Sequence, residues 1–464
     1  MADAQAKFLE GSLLRHVTVM SVTSALGITA VFLVDFIDMI FISMLGKAEL
    51  AAAVGYAGSI LFFTTSFSIG MAIAVGALVA RSLGAGDVEK ARARSTHGLI
   101  YGVAFGALFA GFVWVNIPLF VSWIGASGET ATLAEGYLRI IVPSLPFLVV
   151  GMMGGGILRA HGDARRSMMA TIYGGGVNAV LDPILIFGLG LDLTGAALAS
   201  VAARIVIGLT AVLPILRHHG GFPRPEPMRM ARDLRPLVAI GFPAILTQLA
   251  TPVGQAIVTR SMAQYGLEAV AGMAIVGRLM PVSFAVIFAL SGAVGPILGQ
   301  NFGAQKFDRV RAGFNAALIF AGVVVIVIAA VLFALRGPIA DLFTATGITR
   351  DLVYLFCGPL ALLFFFNGVL FISNAAFNNL GHPFYSTGMN WGRNTVAMIP
   401  LVWLGAALFG APGVLIGQAL AGVVFGAIAW VLARRVIATG GASGRTHDRF
   451  AREGRLLSLL NLRK

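Results

Sequence analysis

The chain carries little charge and almost no cysteine. Only 11% of its 464 residues are Asp, Glu, Lys or Arg, 58% are hydrophobic, and Cys357 is the single cysteine. A soluble domain of this size needs a far more polar surface, so the composition excludes one. One cysteine also excludes an internal disulfide, and we expect Cys357 to pack among apolar neighbours.

Acidic residues are especially scarce, and their shortage leaves a formal net charge of +13. This excess does not indicate a nucleic-acid partner. The basic residues are spread over several short segments between apolar stretches, and no soluble domain gathers them. Most of the 33 Lys and Arg residues fall on one side if both chain termini lie in the cytoplasm. The positive-inside rule therefore predicts an inner-membrane protein with both termini cytoplasmic.

Long apolar runs define the fold class. A membrane-spanning helix needs roughly 20 mostly apolar residues, and twelve stretches meet this requirement. The period along them is helical or uniformly apolar, so we predict an all-α integral membrane protein with twelve transmembrane helices. The predicted spans are 16–45, 51–80, 97–118, 137–158, 167–189, 195–216, 237–262, 269–299, 313–335, 352–378, 385–408 and 412–433.

The chain also contains a repeat. Gly76–Arg94 reappears as Gly295–Gly313 after 219 residues, and Asn178–Leu198 matches Thr395–Leu415 after 217. Six helices per repeat is an even number, so both halves enter the membrane in the same direction. We therefore expect two six-helix bundles related by a pseudo-twofold axis along the membrane normal, as in transporters with parallel repeats.

The repeat fixes the predicted domain boundaries. The N-terminal bundle covers 1–216, a polar cytoplasmic linker covers 217–235, and the C-terminal bundle covers 236–433. The basic tail 434–464 is amphipathic, which is typical of an interfacial helix or of a tail lying on anionic lipid. A regulatory or partner-binding role for the tail stays open.

Acidic residues within the apolar stretches are the candidates for chemistry. Only Asp35, Asp38 and Asp182 lie well inside predicted helices. A bare carboxylate costs roughly 2.5–3.5 kcal/mol in the hydrocarbon region, so each needs a partner or a wet cavity. Desolvation disfavours the charged form, and a carboxyl in such surroundings can bind and release a proton as they change.

Asp182 has the most informative surroundings of the three. Asn178 precedes it by four residues and therefore shares its helix face, where the amide can hydrogen-bond the carboxyl. Pro183 lacks an N–H, so the helix can bend there. Two interpretations remain: a titrating group beside a hinge, or a structural kink in which the aspartate caps loose backbone groups.

Asp35 and Asp38 are three residues apart and share a face of the first helix. Two carboxyls this close do not both ionise easily, so one is expected to stay protonated. A helix-packing hydrogen bond is the alternative role for either residue.

Several motifs together resemble the multidrug and toxic compound extrusion (MATE) transporters over nearly the whole chain. One pair of loops and a second pair occupy matching positions in the two halves, and the fifth helix is similar to that of the proton-coupled, DinF-like branch. The motifs are Phe36–Gly46 (FIDMIFISMLG), Leu83–Asp87 (LGAGD), Gln300–Ala304 (QNFGA), Ile157–Asp163 (ILRAHGD), Phe377–Pro383 (FNNLGHP) and Asn178–Gly190 (NAVLDPILIFGLG).

The resemblance implies a secondary antiporter that exports organic cations or drugs in exchange for protons by alternating access. It selects Asp38 over Asp35 as the coupling residue and places Tyr137 in the cavity, although a tyrosine at the membrane interface is an equal alternative. Gln248 and Asn367 are polar groups that can line the same cavity or hydrogen-bond neighbouring helices. We expect a monomer whose partners are small organic cations and membrane lipids, with no cofactor.

The expected coupling ion depends on the acidic residues of the C-terminal half. The sodium-coupled branch carries acidic residues at positions occupied here by Thr251 and Asn367. A sodium site in the C-terminal half has therefore lost its charge, which favours H⁺ as the coupling ion. Na⁺ remains the alternative ion for the N-terminal network of Asp38, Asn178 and Asp182.

Other functional classes fit less well. A lipid-linked oligosaccharide flippase of the same wider superfamily is the main alternative, because five arginines lie within apolar stretches. A channel does not explain the two similar halves, and no nucleophile–base or metal-ligand motif indicates an enzyme. The intramembrane arginines are Arg139, Arg204, Arg260, Arg278 and Arg393.

Overall fold

A computed structural model describes residues 6–442, apart from the side chains of residues 35, 43, 48, 441 and 442. Every regular element in the described range is a helix. The α-helices are α1 (Leu13–Met44), α2 (Ala48–Gly84), α3 (Val88–Val115), α4 (Ile117–Trp123), α5 (Gly128–Ile141), α6 (Leu145–Ala160), α7 (Ala164–Pro183), α8 (Asp192–His218), α9 (Pro227–Ala263), α10 (Leu267–Ser283), α11 (Ala285–Gly303), α12 (Phe307–Leu342), α13 (Gly347–Leu355), α14 (Ala361–Leu363), α15 (Phe365–Leu380), α16 (Pro383–Trp391) and α17 (Met398–Ala442).

Short helices of other types connect some of these elements. Lys7–Leu9 and Val142–Ser144 are 3₁₀ helices, and Ile184–Gly188, Phe356–Leu360 and Gly392–Ala397 are π-helical. Each π-helical segment follows or contains a proline or a glycine. The regular hydrogen-bond ladder of a helix is most easily disrupted at such residues.

Ten of the described helices are long and apolar enough to cross a membrane, and a bent pair supplies an eleventh span. The pair joins Gly347–Leu363 to Phe365–Leu380 with a bend of 44°. The bend lies at Phe364, between the two members of the pair. A separate irregularity precedes it at Gly358, whose backbone leaves the helical region just before Pro359.

The twelfth span is hidden in the longest helical run. Residues Pro383–Gly440 are too many for one crossing, and the run breaks at Gly410, which has φ +64°. A methyl group built on Gly405 would lie 2.1 Å from the Gly413 carbonyl oxygen. The chain therefore folds back at Gly410, and the predicted spans 385–408 and 412–433 are separate.

The contacts between the two halves follow the pseudo-twofold axis at the end of the molecule that carries the basic loops. Arg81 of α2 donates from Nε to the Asn379 carbonyl at 2.7 Å. At the repeat-related position, Gln300 of α11 donates from Nε2 to the Ala160 carbonyl at 2.8 Å. Each half therefore uses one side chain, Arg81 of α2 or Gln300 of α11, to hold the C-terminal end of a helix of the other half.

Two glycines allow this close approach. A methyl group on Gly84 would lie 1.9 Å from the Gln300 carbonyl oxygen, and one on its repeat partner Gly303 would lie 2.1 Å from the Arg81 carbonyl oxygen. No side chain fits at either position, so the two halves meet backbone to backbone here.

The segment that precedes α1 completes this junction. Phe8 is fully buried, and its N–H donates to Gln300 Oε1 at 2.9 Å. Its carbonyl accepts from Asn301 Nδ2 and from Arg309 Nη2. Within the described residues, the side-chain hydrogen bonds between the halves all lie at this basic end. The structure is therefore sealed at that end.

The linker between the halves is attached to the N-terminal bundle. α8 continues to His218 and α9 begins at Pro227, so only the middle of the predicted linker 217–235 is non-helical. Asp233 Oδ2 lies 2.8 Å from His97 Nδ1 of α3, and Tyr101 donates to the Met230 carbonyl.

A cluster of three titratable residues lies between the linker and the loop after α6. His219 Nε2 is 3.2 Å from Asp163 Oδ2, and the rings of His161 and His219 stack with centroids 4.4 Å apart. Asp163 also caps α7 by accepting from the Arg166 backbone N–H. The cluster therefore ties the end of α8 to the start of α7.

The predicted tail 434–464 is only partly within the described range. α17 continues as helix to Ala442, and the rest of the tail lies outside the described residues.

Candidate functional site

Three predicted residues converge in the N-terminal bundle. Nδ2 of Asn178 lies 2.9 Å from Oδ1 and 3.0 Å from Oδ2 of Asp38, and 2.9 Å from Oδ2 of Asp182. One amide group thus donates to two carboxyl groups, one on α1 and one on α7. Asn178 and Asp182 are buried, whereas Asp38 is partly accessible.

The local sequence explains the position of these groups. α1 packs along α7, and the four-residue spacing places Asn178 and Asp182 one above the other on the face toward α1. α7 ends at Pro183, and the chain continues as the π-helical segment Ile184–Gly188. A proline followed by a π-helical turn beside a buried carboxyl is a typical arrangement at functional sites in helices.

One acceptor of the site has no partner within the described residues. Asp182 Oδ1 is buried and receives no hydrogen bond there. An unsatisfied buried carboxyl oxygen is costly unless it carries a proton or meets a cation or water. Because two carboxyls also face one amide, the arrangement can hold a proton or one small cation.

Asp35 is located on α1, but its side chain lies outside the described residues. The described contacts therefore concern Asp38, whose carboxyl accepts from Asn178.

Tyr137 lies on α5 and is buried in the N-terminal bundle. The phenol is close to Ser200 and Arg204 of α8 and within electrostatic range of Asp38 and Asp182. Of the two interpretations from sequence, the burial favours a position inside the bundle over one at the membrane interface.

The C-terminal half has no equivalent of the carboxyl pair. Asn367 is buried, its Oδ1 has no described partner, and Gly422 of α17 faces its side chain. Gln248 is half-buried on α9, and Thr251 is exposed. The structure therefore does not bring Gln248 and Asn367 into hydrogen-bond contact with the three N-terminal residues.

The five intramembrane arginines fall into two groups. Arg139, Arg260 and Arg278 are exposed, and Arg139 lies over the Trp114 ring. The other two are interior: Arg204 donates to the Ile141 carbonyl and Ser144 Oγ, and Arg393 has a buried Nε without a partner in the described range. Two of the five arginines therefore lie inside a bundle.

Metal chemistry has no ligand set in the part of the chain that the structure describes. No group of three or more His, Cys, Asp or Glu residues there is arranged to hold a metal ion.

Sequence reasoning missed the residues of the basic-end seal. Arg81, Gln300 and Asn301 bind backbone carbonyls or amides, which leave no pattern of partner residues in the sequence. The one available signal is the repeat itself, because Arg81 and Gln300 occupy matching positions in it.

Comparisons with known proteins agree with this architecture. The MatE family matches residues 24–184 and 243–404, one segment in each half. The chain is 27% identical to a protein named FAD transporter from Shewanella oneidensis, over 90% of this chain and 93% of that protein. It is 25% identical to multidrug export protein MepA from Staphylococcus aureus, over 89% and 92%.

A solved structure shows the same fold. The outward-facing conformation of a multidrug resistance MATE family transporter of the MOP superfamily superposes with a TM-score of 0.89 at 22% identity, covering 96% of this chain and all of that one. With family segments matching in both halves, twelve spans and two bundles, the chain belongs to the MatE family of multi-pass membrane transporters.

Proposed function

We propose that this transporter exports organic cations or drugs in exchange for protons. The observation that carries the proposal is the pair Asp38 and Asp182 joined by Asn178 in an otherwise apolar bundle. Two carboxyl groups in such surroundings do not ionise together easily, so the pair favours one bound proton. An entering cation offers the same compensation and competes with that proton.

The exchange follows from this competition. When a proton binds, the pair loses its negative charge and its attraction for a cation. Pro183 and the π-helical segment Ile184–Gly188 provide the place where α7 bends as the hydrogen bonds rearrange. The sealed basic end corresponds to one of the two states of alternating access. We place that end and both termini in the cytoplasm, with the protein in the inner membrane.

Proton coupling is favoured over sodium coupling by the missing carboxylates of the C-terminal half. The four acidic residues within its described range, Glu268, Asp308, Asp341 and Asp351, are all exposed. A sodium site needs several oxygen ligands with compensating charge, and only the N-terminal site offers carboxylates inside a bundle.

A second candidate is export of an anionic, flavin-nucleotide-like substrate. It is favoured by the name of the Shewanella oneidensis relative and by Arg393, whose Nε is buried in the C-terminal bundle without a partner in the described range. A lipid-linked oligosaccharide flippase remains the other alternative, and it requires the intramembrane arginines to line one cavity.

Efflux from proteoliposomes tests the proposal. The protein is reconstituted, a fluorescent lipophilic cation is loaded inside, and a pH gradient or a sodium gradient is imposed separately. We expect the pH gradient to drive efflux, and Asp182→Asn to abolish it. Asp192→Asn is the matched control, because Asp192 is exposed and pairs only with Lys47 in the described contacts.

The alternatives give different results. Efflux driven by sodium alone overturns the coupling ion. Transport of flavin adenine dinucleotide with no transport of cations overturns the substrate class and supports the second candidate.

A further inference from the structure

A basic groove lies at the sealed end of the C-terminal half, away from the coupling site. It has a volume of about 670 Å³ and lies between the start of α12 and the end of α17. Four cationic side chains line it: Lys306, Arg309, Arg311 and Arg434. Asp308 is the one acidic residue in its wall, and Phe314 and Ile437 supply an apolar floor.

The repeat provides an internal comparison for this groove. In the N-terminal half, Asp87 caps α3 by accepting from the Lys90 backbone N–H at 2.9 Å. The repeat-related residue in the C-terminal half is Lys306, which precedes α12 and makes no side-chain cap. The C-terminal half has thus replaced an anion at this corner with a cation.

The cationic side chains of the groove divide into two pairs. Lys306 and Arg309 donate to backbone carbonyls of Leu9, Phe8 and Gly11, so they hold the segment before α1. Arg311 and Arg434 are exposed, and Arg434 stacks on the Trp430 ring. Neither of this second pair has a carboxylate partner among the described contacts, so both can bind an added anion.

We propose that this groove binds the headgroup of an anionic phospholipid. The groove lies where two membrane spans end, so a phosphate group of the adjacent leaflet reaches it without leaving the membrane surface. Basic pockets between spans are a recognised type of anionic-lipid site. Arg311 and Arg434 bind the phosphate, and the floor of Phe314 and Ile437 accepts the first part of an acyl chain.

Charge complementarity selects this occupant over two others. The chain's own segment 443–464 contains six Lys and Arg residues and two acidic ones and would be repelled. Free phosphate satisfies the cations but makes no use of the apolar floor.

Native mass spectrometry of the full-length protein tests the site. The purified transporter is mixed with phosphatidylglycerol or phosphatidylcholine, and the fraction that retains one lipid is measured. We expect wild-type protein to prefer phosphatidylglycerol, and Arg311→Gln/Arg434→Gln to weaken that preference roughly tenfold, since each basic residue near an anionic surface contributes substantially. Arg311→Lys/Arg434→Lys keeps the charge and is expected to retain the preference.

The matched control is Arg165→Gln/Arg217→Gln, which removes the same charge from exposed positions at the same end. An equal loss in this control contradicts a defined site. The proposal is also overturned if the Arg311→Gln/Arg434→Gln variant matches wild type, or if inorganic phosphate displaces the lipid as effectively as added phosphatidylglycerol does. Because lipid retention is measured without transport, its outcome is independent of the efflux result.

Discussion

The two halves of this transporter share one fold but differ in where they place charge. The N-terminal half buries Asp38 and Asp182 around Asn178, whereas the C-terminal half buries amides such as Asn367 and keeps its described acidic residues on the surface. At the basic end, Asp87 caps α3 in the first half and Lys306 takes its place in the second.

Two halves that share one fold can therefore carry out different tasks. The backbone contacts that seal the basic end are shared, because Arg81 and Gln300 make equivalent hydrogen bonds. The titratable chemistry is not shared. Under the proposed function, we expect a proton-dependent change to start in the first half and to reach the second through the shared contacts and the segment before α1.

The largest expected effect comes from removing one carboxyl of the N-terminal pair, which the C-terminal half lacks. Asp182→Asn keeps the shape and the hydrogen-bonding capacity of the side chain but removes its proton chemistry. We expect pH-driven efflux to fall at least about a hundredfold, which corresponds to about 2.7 kcal/mol. Size-exclusion profile and melting temperature should stay close to wild type, and a variant that transports normally contradicts the assignment.

The shared contacts provide the next test. Gly84→Ala and Gly303→Ala each place a methyl group about 2 Å from a carbonyl oxygen of the other half. Overpacking at such a junction costs about 1–3 kcal/mol, so both variants should lower the melting temperature in detergent by similar amounts. Gly111→Ala is the control, since nothing lies within 4 Å of its methyl position. Unequal effects of the two junction variants would break the pseudo-symmetry of the seal.

The titratable cluster after α6 offers a third comparison, because Leu380 occupies the repeat position of His161. Burial, and secondarily the neighbouring His219, lowers the pKa of His161 from 6.5 to about 3. Burial opposes ionisation of Asp163, but hydrogen bonds from His219 and Arg166 outweigh it and hold the pKa of Asp163 below its usual range.

Both shifts predict a loss of stability in acid. Between pH 6.5 and 3 the unfolded chain protonates His161 and the folded protein does not, so stability falls as the pH decreases. At pH 5 the loss reaches about 2 kcal/mol relative to pH 7. His161→Leu, which installs the residue of the other half, should flatten the melting temperature between pH 7 and 5. An unchanged pH profile contradicts the account.

The smallest expected effect concerns the amide that joins the carboxyl pair. Asn178→Leu keeps the number and branching of the side-chain heavy atoms and removes the donor shared by Asp38 and Asp182. We expect efflux to fall about tenfold, or about 1.4 kcal/mol, with the optimum pH displaced because each carboxyl loses a hydrogen bond. Loss of rate at all pH values, without displacement, would reduce Asn178 to a structural role.

The architecture was largely predictable because it follows from patterns in the sequence itself. Apolar runs of roughly 20 residues predict the spans, and the repeat after 219 residues predicts the pseudo-symmetry. The position of Asn178 beside Asp182 follows from helical spacing. Asp38 lies 140 residues from Asn178, so spacing alone does not join them, and the resemblance to the MATE family supplied that link.

The rest of the structure depends on backbone geometry that side-chain patterns do not encode. The seal uses carbonyls of Ala160 and Asn379 as acceptors, and any residue type presents a carbonyl. The two predicted spans on either side of Gly410 form one continuous helical run, because Gly410 is the only residue within α17 that leaves the helical region. The chain folds back at that glycine. The basic groove requires α12 and α17, more than a hundred residues apart, to meet at one corner.

The central claim is that one carboxyl pair in the N-terminal half exchanges a proton for a cation. Calorimetric titration of the detergent-solubilised protein with a lipophilic cation, in two buffers of different ionisation enthalpy, counts the protons released per cation bound. The account predicts a release that approaches one proton in the wild type near neutral pH and none in Asp182→Asn. Binding without proton release in the wild type, or release that Asp182→Asn leaves intact, would contradict it.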